Sequence, residues 1–187
     1  MKKQNIIMNG NFNQGFTLIE LVVTMAIAAI LVSIAVPNYQ IFILNGRLSA
    51  HSNDFLSALQ LARSEAVKRG TLISVCKSDG ATCVTTGTWA QGWIVFIDVG
   101  VAGTFISGTD TLLRAFPPIS GNSTLVGSTA VADFVSYQAS GTTSLATGST
   151  ATVSLCPPSP AAVAGRDIQI SASGRARVQN PPATACP

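Results

Sequence analysis

Two arginines near the end of the chain are spaced so that they could bind an anion together. Arg175 and Arg177 follow Gly174, a residue that readily adopts the positive φ of a tight turn. Residues two apart on a strand point to the same face, so both guanidinium groups should project together and suit phosphate oxygens. Arg166, at the start of the preceding predicted strand, could join them. Pairing with acidic neighbours such as Asp167 is the alternative.

The other ionisable residues do not form a pattern typical of an active site. The sequence has one histidine, His51, and neither a glycine-rich phosphate loop nor a Ser–His–Asp set. Asp98 and Asp110 flank a glycine-rich loop, where calcium binding is the alternative to capping of turns. Their spacing matches no known calcium loop, which favours capping. We expect a protein that is not an enzyme and that has no metal site and no cofactor.

Composition locates the hydrophobicity of the chain in one segment. Only 10% of the 187 residues are charged, and the mean hydropathy is +0.42. These values exclude a disordered chain, and a net charge of +3 is small for a general nucleic-acid coat. Residues 16–36 are predominantly apolar, carry one ionisable group, Glu20, and are long enough to span a bilayer. Lys2 and Lys3 precede this segment, which predicts a cytoplasmic N-terminus.

The N-terminal end of the apolar segment carries a specific motif. A carboxylate is costly inside a membrane, so Glu20 requires a partner. The residues from Gly15 to Glu20, GFTLIE, resemble the prepilin recognition motif of type IV pilins and type II secretion pseudopilins. The resemblance implies cleavage after Gly15 by a prepilin peptidase and N-methylation of Phe16. It also implies that Glu20 serves filament assembly by pairing with the α-amino group of Phe16 on an adjacent subunit. A plain anchor or a secretory signal peptide is the alternative.

The chain divides into four predicted segments. Residues 1–15 are the cleaved leader, and residues 16–36 are the transmembrane or filament-core part of a long helix. Residues 37–70 continue the helix, which Pro37 should kink or loosen. The spacing of apolar residues predicts that one face of this second half packs on the head, and that face comprises Leu48, Phe55, Leu59, Ala62 and Ala66.

Residues 71–187 are predicted to form a β-rich globular head. They are rich in Gly, Ser, Thr and Val, and turn-forming residues separate short apolar runs. Seven strands are predicted: Thr71–Cys76, Gly92–Asp98, Thr111–Phe116, Asp133–Gln138, Thr150–Cys156, Asp167–Ser171 and Arg175–Gln179. The expected fold class is α+β and type IV pilin-like, with the long helix packed on an all-antiparallel β head that contains two disulfides.

Four cysteines in a head on the exported side of the membrane predict two disulfides. Three connectivities are open from the sequence, and closeness along the chain favours Cys76–Cys83 and Cys156–Cys186. A zinc site is the competing interpretation. The gap between Cys76 and Cys83 and the single distant histidine argue against it.

Part of the head resembles a narrower branch of the pilins. The segment Thr88–Asp98, TWAQGWIVFID, followed by Thr111–Arg114, TLLR, resembles the GspH/FimT/FimU branch of pseudopilins and minor pilins. We expect its aromatic residues to lie in the core. An aromatic platform for stacking single-stranded bases is the alternative, which the lack of interleaved basic residues disfavours.

The GRAR segment at Gly174–Arg177 resembles the DNA-binding motif of FimT-type minor pilins in naturally transformable bacteria. The resemblance implies that Gly174, Arg175 and Arg177 bind extracellular double-stranded DNA. Arg166 could join them, and a site of two or three arginines predicts weak binding that depends strongly on salt and not on sequence. Residues 70–187 hold five basic and five acidic residues, so binding would depend on this local cluster. The alternative is a structural minor pilin or pseudopilin that primes a filament without binding DNA, its arginines contacting another minor pilin.

These resemblances imply partners and a location as well. Prepilin peptidase and other pilins, minor pilins or pseudopilins are the expected protein partners. Before assembly, the chain is expected to cross the bacterial inner membrane once, with its head in the periplasm. After assembly, it is expected in a type IV pilus or a type II secretion pseudopilus filament.

Overall fold

The computed structural model describes residues 15–159, 163–180, 182 and 186. The predicted leader, apart from Gly15, lies outside the described residues. The chain divides into two compact units, of which the first ends at Gln40 and the second comprises Ile41–Pro187. Every strand among the described residues lies in the second unit.

Helix α1, Leu18–Arg69, runs through Pro37 without ending. Next to the proline, Asn38 donates its side-chain amide to the Ile34 carbonyl at 3.0 Å, an extra local hydrogen bond where proline lacks a donor. Gly70, with φ +66°, donates its N–H to the Ala66 carbonyl and ends the helix as a C-terminal glycine. Among the described residues, α1 is the one helix long and apolar enough to cross a membrane.

In the part of the chain that the structure describes, eight antiparallel strands form two four-stranded sheets in the order β3-β2-β1-β5 and β4-β6-β7-β8. The strands are β1 Ile73–Lys77, β2 Trp93–Ile97, β3 Thr111–Phe116, β4 Thr124–Gly127, β5 Phe134–Tyr137, β6 Thr150–Cys156, β7 Arg166–Ser171 and β8 Ala176–Gln179. Two 3₁₀ helices, Trp89–Gln91 and Thr129–Val131, stand between strands. Strand β4 was not predicted, because only Leu125 of its four residues is buried and its apolar run is short.

The predicted apolar face of α1 is confirmed and forms part of the core with both sheets. All five of its predicted members, Leu48, Phe55, Leu59, Ala62 and Ala66, are inaccessible to solvent. Phe55 meets the rings of Trp89 and Trp93 edge to face, with centroids 5.1 and 5.2 Å apart. Because both tryptophans are at most 1% exposed, they cannot offer a stacking platform to bases, and the core interpretation is confirmed.

Both disulfides join the pairs that closeness along the chain favours. Cys76 at the end of β1 bonds to Cys83, which lies in the loop that follows. Cys156 at the end of β6 bonds to Cys186. Since no free cysteine is found among the described residues, no thiol ligand set for zinc remains there.

Candidate functional site

Strands β7 and β8 form a tight hairpin that presents the two arginines. Gln169 stands opposite Arg177 across the hairpin. The turn closes through a hydrogen bond from the Ser171 N–H to the Arg175 carbonyl, at 3.0 Å, and another from the Gly174 N–H to the Ser171 carbonyl, at 2.9 Å. Gly174 has φ +81°, a conformation that glycine adopts without the steric cost of a side chain. This turn geometry therefore accounts for the glycine that precedes the arginines.

Arg175 and Arg177 line one cleft on the outer face of this hairpin, as their spacing predicts. The cleft has a volume of about 200 Å³ and is completed by Thr150, Gln169 and Ser171. Arg177 donates from Nε and Nη2 to Oε1 of Gln169, at 3.0 and 2.7 Å. Gln169 thus orients the Arg177 guanidinium without neutralising its charge. Both arginines are exposed, so a ligand can reach them from solvent.

Arg166 does not join this pair, and the expectation that it would was wrong. Its side chain is buried: Nη1 donates to the Ala164 and Gly165 carbonyls and to Asn180, and Nη2 donates to Asn45 at 3.3 Å. The cause is strand geometry. Arg166 and Gln169 are an odd number of residues apart on β7, so Arg166 points to the opposite face of the sheet from Gln169 and Arg177.

The acidic neighbours do not form salt bridges with the two arginines. Among the residues that the structure describes, neither Arg175 nor Arg177 belongs to an ion pair. Asp167, the acidic residue considered as a partner, is fully buried and accepts a hydrogen bond from the Ser154 hydroxyl at 2.8 Å.

A third arginine, which the sequence did not single out, touches the tip of the hairpin. Arg63 on α1 donates from Nε to the Gly141 carbonyl at 3.0 Å and from Nη2 to the Ser173 carbonyl at 3.2 Å. The only local signal was its position at the border of the apolar face, one helical turn beyond Leu59. Its contacts lie 78 and 110 residues away along the chain, so no local pattern could reveal them.

A wider polar groove adjoins the arginine cleft. It has a volume of about 490 Å³ and shares Thr150 and Ser171 with the cleft. Some of its hydroxyl groups donate hydrogen bonds to the backbone. For example, Thr143 Oγ1 donates to the Ser171 carbonyl at 3.1 Å, and Ser149 Oγ donates to the Ala146 carbonyl at 2.6 Å. The cationic groups therefore lie beside a polar depression.

The other chemical candidates have structural roles. Asp98 accepts from the Gly103 N–H at 2.7 Å and from the Ser74 hydroxyl at 2.5 Å. Asp110 accepts from the N–H groups of Val99 and Ile106, so the two carboxylates cap the loop between them. The part of the chain that the structure describes has no group of three or more His, Cys, Asp or Glu side chains suited to a metal. His51 Nε2 lies 3.2 Å from the Ser120 carbonyl oxygen.

Family models match both parts of the chain. Residues 51–174 match the family described as type II transport protein GspH, and residues 10–36 match the prokaryotic N-terminal methylation motif. The chain belongs to the GspH family. It is a minor pilin or pseudopilin of the type found in type IV pili and type II secretion systems. This family and fold are those of structural pilins rather than of known enzymes.

Solved structures with a similar fold include a Pseudomonas aeruginosa pilin. Two crystal forms of the type IV minor pilin FimU of strain PAO1 match this GspH-family chain with TM-scores of 0.58 and 0.55, each at 22% identity. The matches cover 75% and 71% of this chain and 93% of each FimU chain. They show the α+β pilin fold. No curated protein sequence matches the chain significantly.

The N-terminal motif of this GspH-family chain stands at the start of α1. Phe16 is 81% exposed and precedes the helix, and Glu20 lies in the first helical turn. The Glu20 N–H is bonded to the Thr17 hydroxyl at 3.3 Å, a contact that caps the helix. The apolar helix and the methylation motif fit a membrane-anchored pilin that later enters a filament. Membership of the pilin family suggests that it associates with other pilins there.

Proposed function

We propose that this GspH-family pilin binds extracellular double-stranded DNA through Arg175 and Arg177, as part of a type IV pilus-like filament in natural transformation. One observation carries the proposal: two exposed guanidinium groups line the same cleft, and neither has a carboxylate partner among the described residues. Guanidinium groups match the geometry of phosphate oxygens, so the phosphate diesters of DNA are suitable ligands for this pair.

The distribution of charge in the head supports this proposal. The count of five basic and five acidic residues in 70–187 is neutral. Lys77 and Arg166 are buried, as are three of the five acidic residues. Asp98, Asp110 and Asp167 are at most 8% exposed and satisfy groups of the protein itself. Arg175 and Arg177 are exposed, so their charges are accessible to a ligand at the hairpin.

The expected mode of binding is electrostatic and independent of sequence. Each guanidinium that neutralises one phosphate releases counterions and adds about −0.9 to the slope of log affinity against log salt concentration. Two arginines alone therefore give weak binding that salt abolishes readily. Weak contacts of this kind, repeated over many subunits or combined with retraction of a filament, would hold DNA without trapping it.

A binding assay with variants tests the proposal. Full-length chain in non-ionic detergent is titrated against fluorescent random-sequence duplex DNA across a salt series. Arg175→Ala/Arg177→Ala should reduce the magnitude of the salt slope by about 2. Arg114→Ala is the matched control, because Arg114 is exposed on β3, in the other sheet, with its guanidinium carbon 4.6 Å from the centre of the Phe116 ring. Lys2 and Lys3 are common to all variants, so their contribution to binding cancels in the comparison.

Unchanged binding by the double variant, or no wild-type binding at low salt, would reject the proposal.

The proposed route to the filament involves Gly15, Phe16 and Glu20. A prepilin peptidase at the inner membrane cuts after Gly15, Phe16 is methylated, and the head stands in the periplasm. Glu20 pairs with the α-amino group of Phe16 on an adjacent subunit, which sets axial register more than stability. Gly15→Ala should leave the leader attached, as read by intact mass. Glu20→Ala should lower incorporation into filaments while the unfolding midpoint of the head stays unchanged.

A purely structural pilin or pseudopilin is the second candidate function. The specific observation in its favour is a set of exposed apolar side chains around the loop between β2 and β3. Val99 and Val101 are 65% and 66% exposed, and Leu112 on the edge strand β3 is 44% exposed. Such a patch suits contacts between heads. If a Val99→Ser/Val101→Ser variant assembles poorly while Arg175→Ala/Arg177→Ala assembles and transforms normally, this function replaces DNA capture.

A further inference from the structure

The tip of the arginine hairpin is pressed against helix α1 through Arg63. A Cβ atom added to Gly174 would lie 1.9 Å from the Gly141 carbonyl oxygen and 3.2 Å from Arg63 Nε. Arg63 bridges that same Gly141 carbonyl and the Ser173 carbonyl, two residues before Arg175. Its guanidinium therefore lies at the turn that carries the arginine pair.

The positive charge of Arg63 is not compensated by these contacts. Both of its acceptors are neutral carbonyl groups. The nearest carboxylate along the helix, Glu65, is paired with Lys68 and Arg69 instead. Among the described residues, Arg63 belongs to no ion pair, and its side chain is exposed.

The guanidinium also keeps donors for a ligand. Of its five N–H groups, one on Nε and one on Nη2 are used by the two carbonyls. The remaining three form no hydrogen bond with a described residue. A planar group that is held at one edge and open at the other is pre-organised for an anion, because little side-chain entropy is left to lose on binding.

We infer that Arg63 is a third phosphate-binding residue, which extends the site of Arg175 and Arg177 from the hairpin onto helix α1. This inference rests on the proposed DNA binding. Because Arg63 approaches the turn from the helix, the three guanidinium groups follow two different elements of the fold. They would contact phosphates of one duplex backbone, and Arg63 would add one further counterion to the number released.

The salt dependence of binding separates this role from a merely structural one. In the same full-length assay, Arg63→Gln should reduce the magnitude of the salt slope by about 0.9, while Arg63→Lys should retain it because the charge remains. Arg47→Gln is the matched control on the same helix. Arg47 lies sixteen residues from Arg63, or about 24 Å along the axis, beyond the Debye length of about 10 Å at 0.1 M salt.

Each outcome decides the inference. A reduced slope in Arg63→Gln, with retention in Arg63→Lys and no change in Arg47→Gln, supports it. An unchanged slope in Arg63→Gln, whether or not affinity falls, overturns it, since Arg63 then only supports the hairpin. An equal loss of slope in Arg63→Lys and Arg63→Gln overturns it as well. If circular dichroism shows that Arg63→Gln is unstable, the slope of Arg63→Lys still tests the inference. Normal loss of binding in Arg175→Ala/Arg177→Ala shows that such a failure concerns Arg63 alone. If the wild type does not bind, the proposed function fails and this inference fails with it.

Discussion

The ammonium group of Lys77 lies 2.7 Å from the carboxylate of Asp133, although the Lys77 side chain is only 4% exposed. Nζ also donates to the carbonyls of Thr85 and Gly87, at 3.2 and 3.1 Å. One buried cation therefore fastens the loop after β1 to the segment before β5. Three acceptors satisfy the three N–H groups of the ammonium, which makes its burial tolerable.

Removing the Asp133 carboxylate should lower the stability of the head. Asp133→Ala leaves the buried ammonium with two neutral acceptors, and we expect the free energy of unfolding to fall by about 1–3 kcal/mol. The figure is below that for a fully buried pair because the Asp133 side chain is 41% exposed. Lys77→Met/Asp133→Ala should be more stable than Asp133→Ala alone, since no charge is left unpaired. Urea unfolding measures both, and wild-type stability of Asp133→Ala would contradict the argument.

Tyr137 should make the head sensitive to alkaline pH. Burial raises the pKa of its hydroxyl to about 12 from an ordinary value of 10, and the nearby charge of Arg63 opposes the rise only in part. The unfolded chain ionises first as the pH passes 10, so it binds fewer protons than the native state and stability falls until about pH 12. Between these values, the difference in unfolding free energy between Tyr137→Phe and wild type should grow by about 1.4 kcal/mol per pH unit.

The phenylalanine variant also has an expected effect at neutral pH. The Tyr137 hydroxyl is buried and has no hydrogen-bond partner among the described residues. Its removal should therefore leave stability unchanged or slightly raised at pH 7. If the unfolding free energies of wild type and Tyr137→Phe change in parallel from pH 9 to 12, the ionisation of Tyr137 does not affect stability.

Alanine substitutions at Gly174 and Gly148 separate the cost of a positive φ from the cost of a steric clash. Their φ values are nearly equal, +81° and +79°, but an added Cβ meets the Gly141 oxygen at Gly174 and nothing within 4 Å at Gly148. Gly148→Ala should cost about 1–2 kcal/mol from its φ alone. Gly174→Ala should cost more, about 3 kcal/mol or above, because the β7–β8 turn must also move away from its neighbour. Thermal unfolding compares the two variants. Equal losses of stability would show that the contact with the Gly141 oxygen adds no cost at Gly174.

The two disulfides should contribute unequally to stability. Cys156 and Cys186 are 30 residues apart, whereas Cys76 and Cys83 are seven apart. On the loop-entropy model, Cys156→Ser/Cys186→Ser should cost about 3–4 kcal/mol and Cys76→Ser/Cys83→Ser about 2–3 kcal/mol. Urea unfolding of both double variants under oxidising conditions measures the order. The reverse order would indicate that the constraint acts on the native state rather than on the unfolded chain.

Local patterns in the sequence were sufficient for most of the architecture. The spacing of Phe55, Leu59, Ala62 and Ala66 predicted the buried face of α1, because helical periodicity is written in neighbouring residues. Strands with at least one wholly buried face, such as β1 and β2, were predicted because their short apolar runs also lie in neighbouring residues. Strand β4 exposes half of its residues and depends on pairing with β6, so its own four residues carried too little signal.

The site was predictable only where it depends on spacing within one strand. Arg175 and Arg177 share a cleft because they are two residues apart. The place of Arg166 depends on how β7 and β8 are paired, since an odd number of residues separates it from Gln169, opposite Arg177. Arg63 reaches the hairpin from another element altogether, through tertiary contacts that no local pattern records.

The core of the head is shared between elements made at different times. Helix α1 supplies Phe55, Leu59 and other apolar residues to a cluster that also includes members of both sheets. During synthesis this helix emerges before any strand, so its apolar face has nothing to cover it until the chain beyond β1 follows. The apolar face of the helix is therefore buried only after the strands of both sheets have been made, so the core of the head is completed late in synthesis.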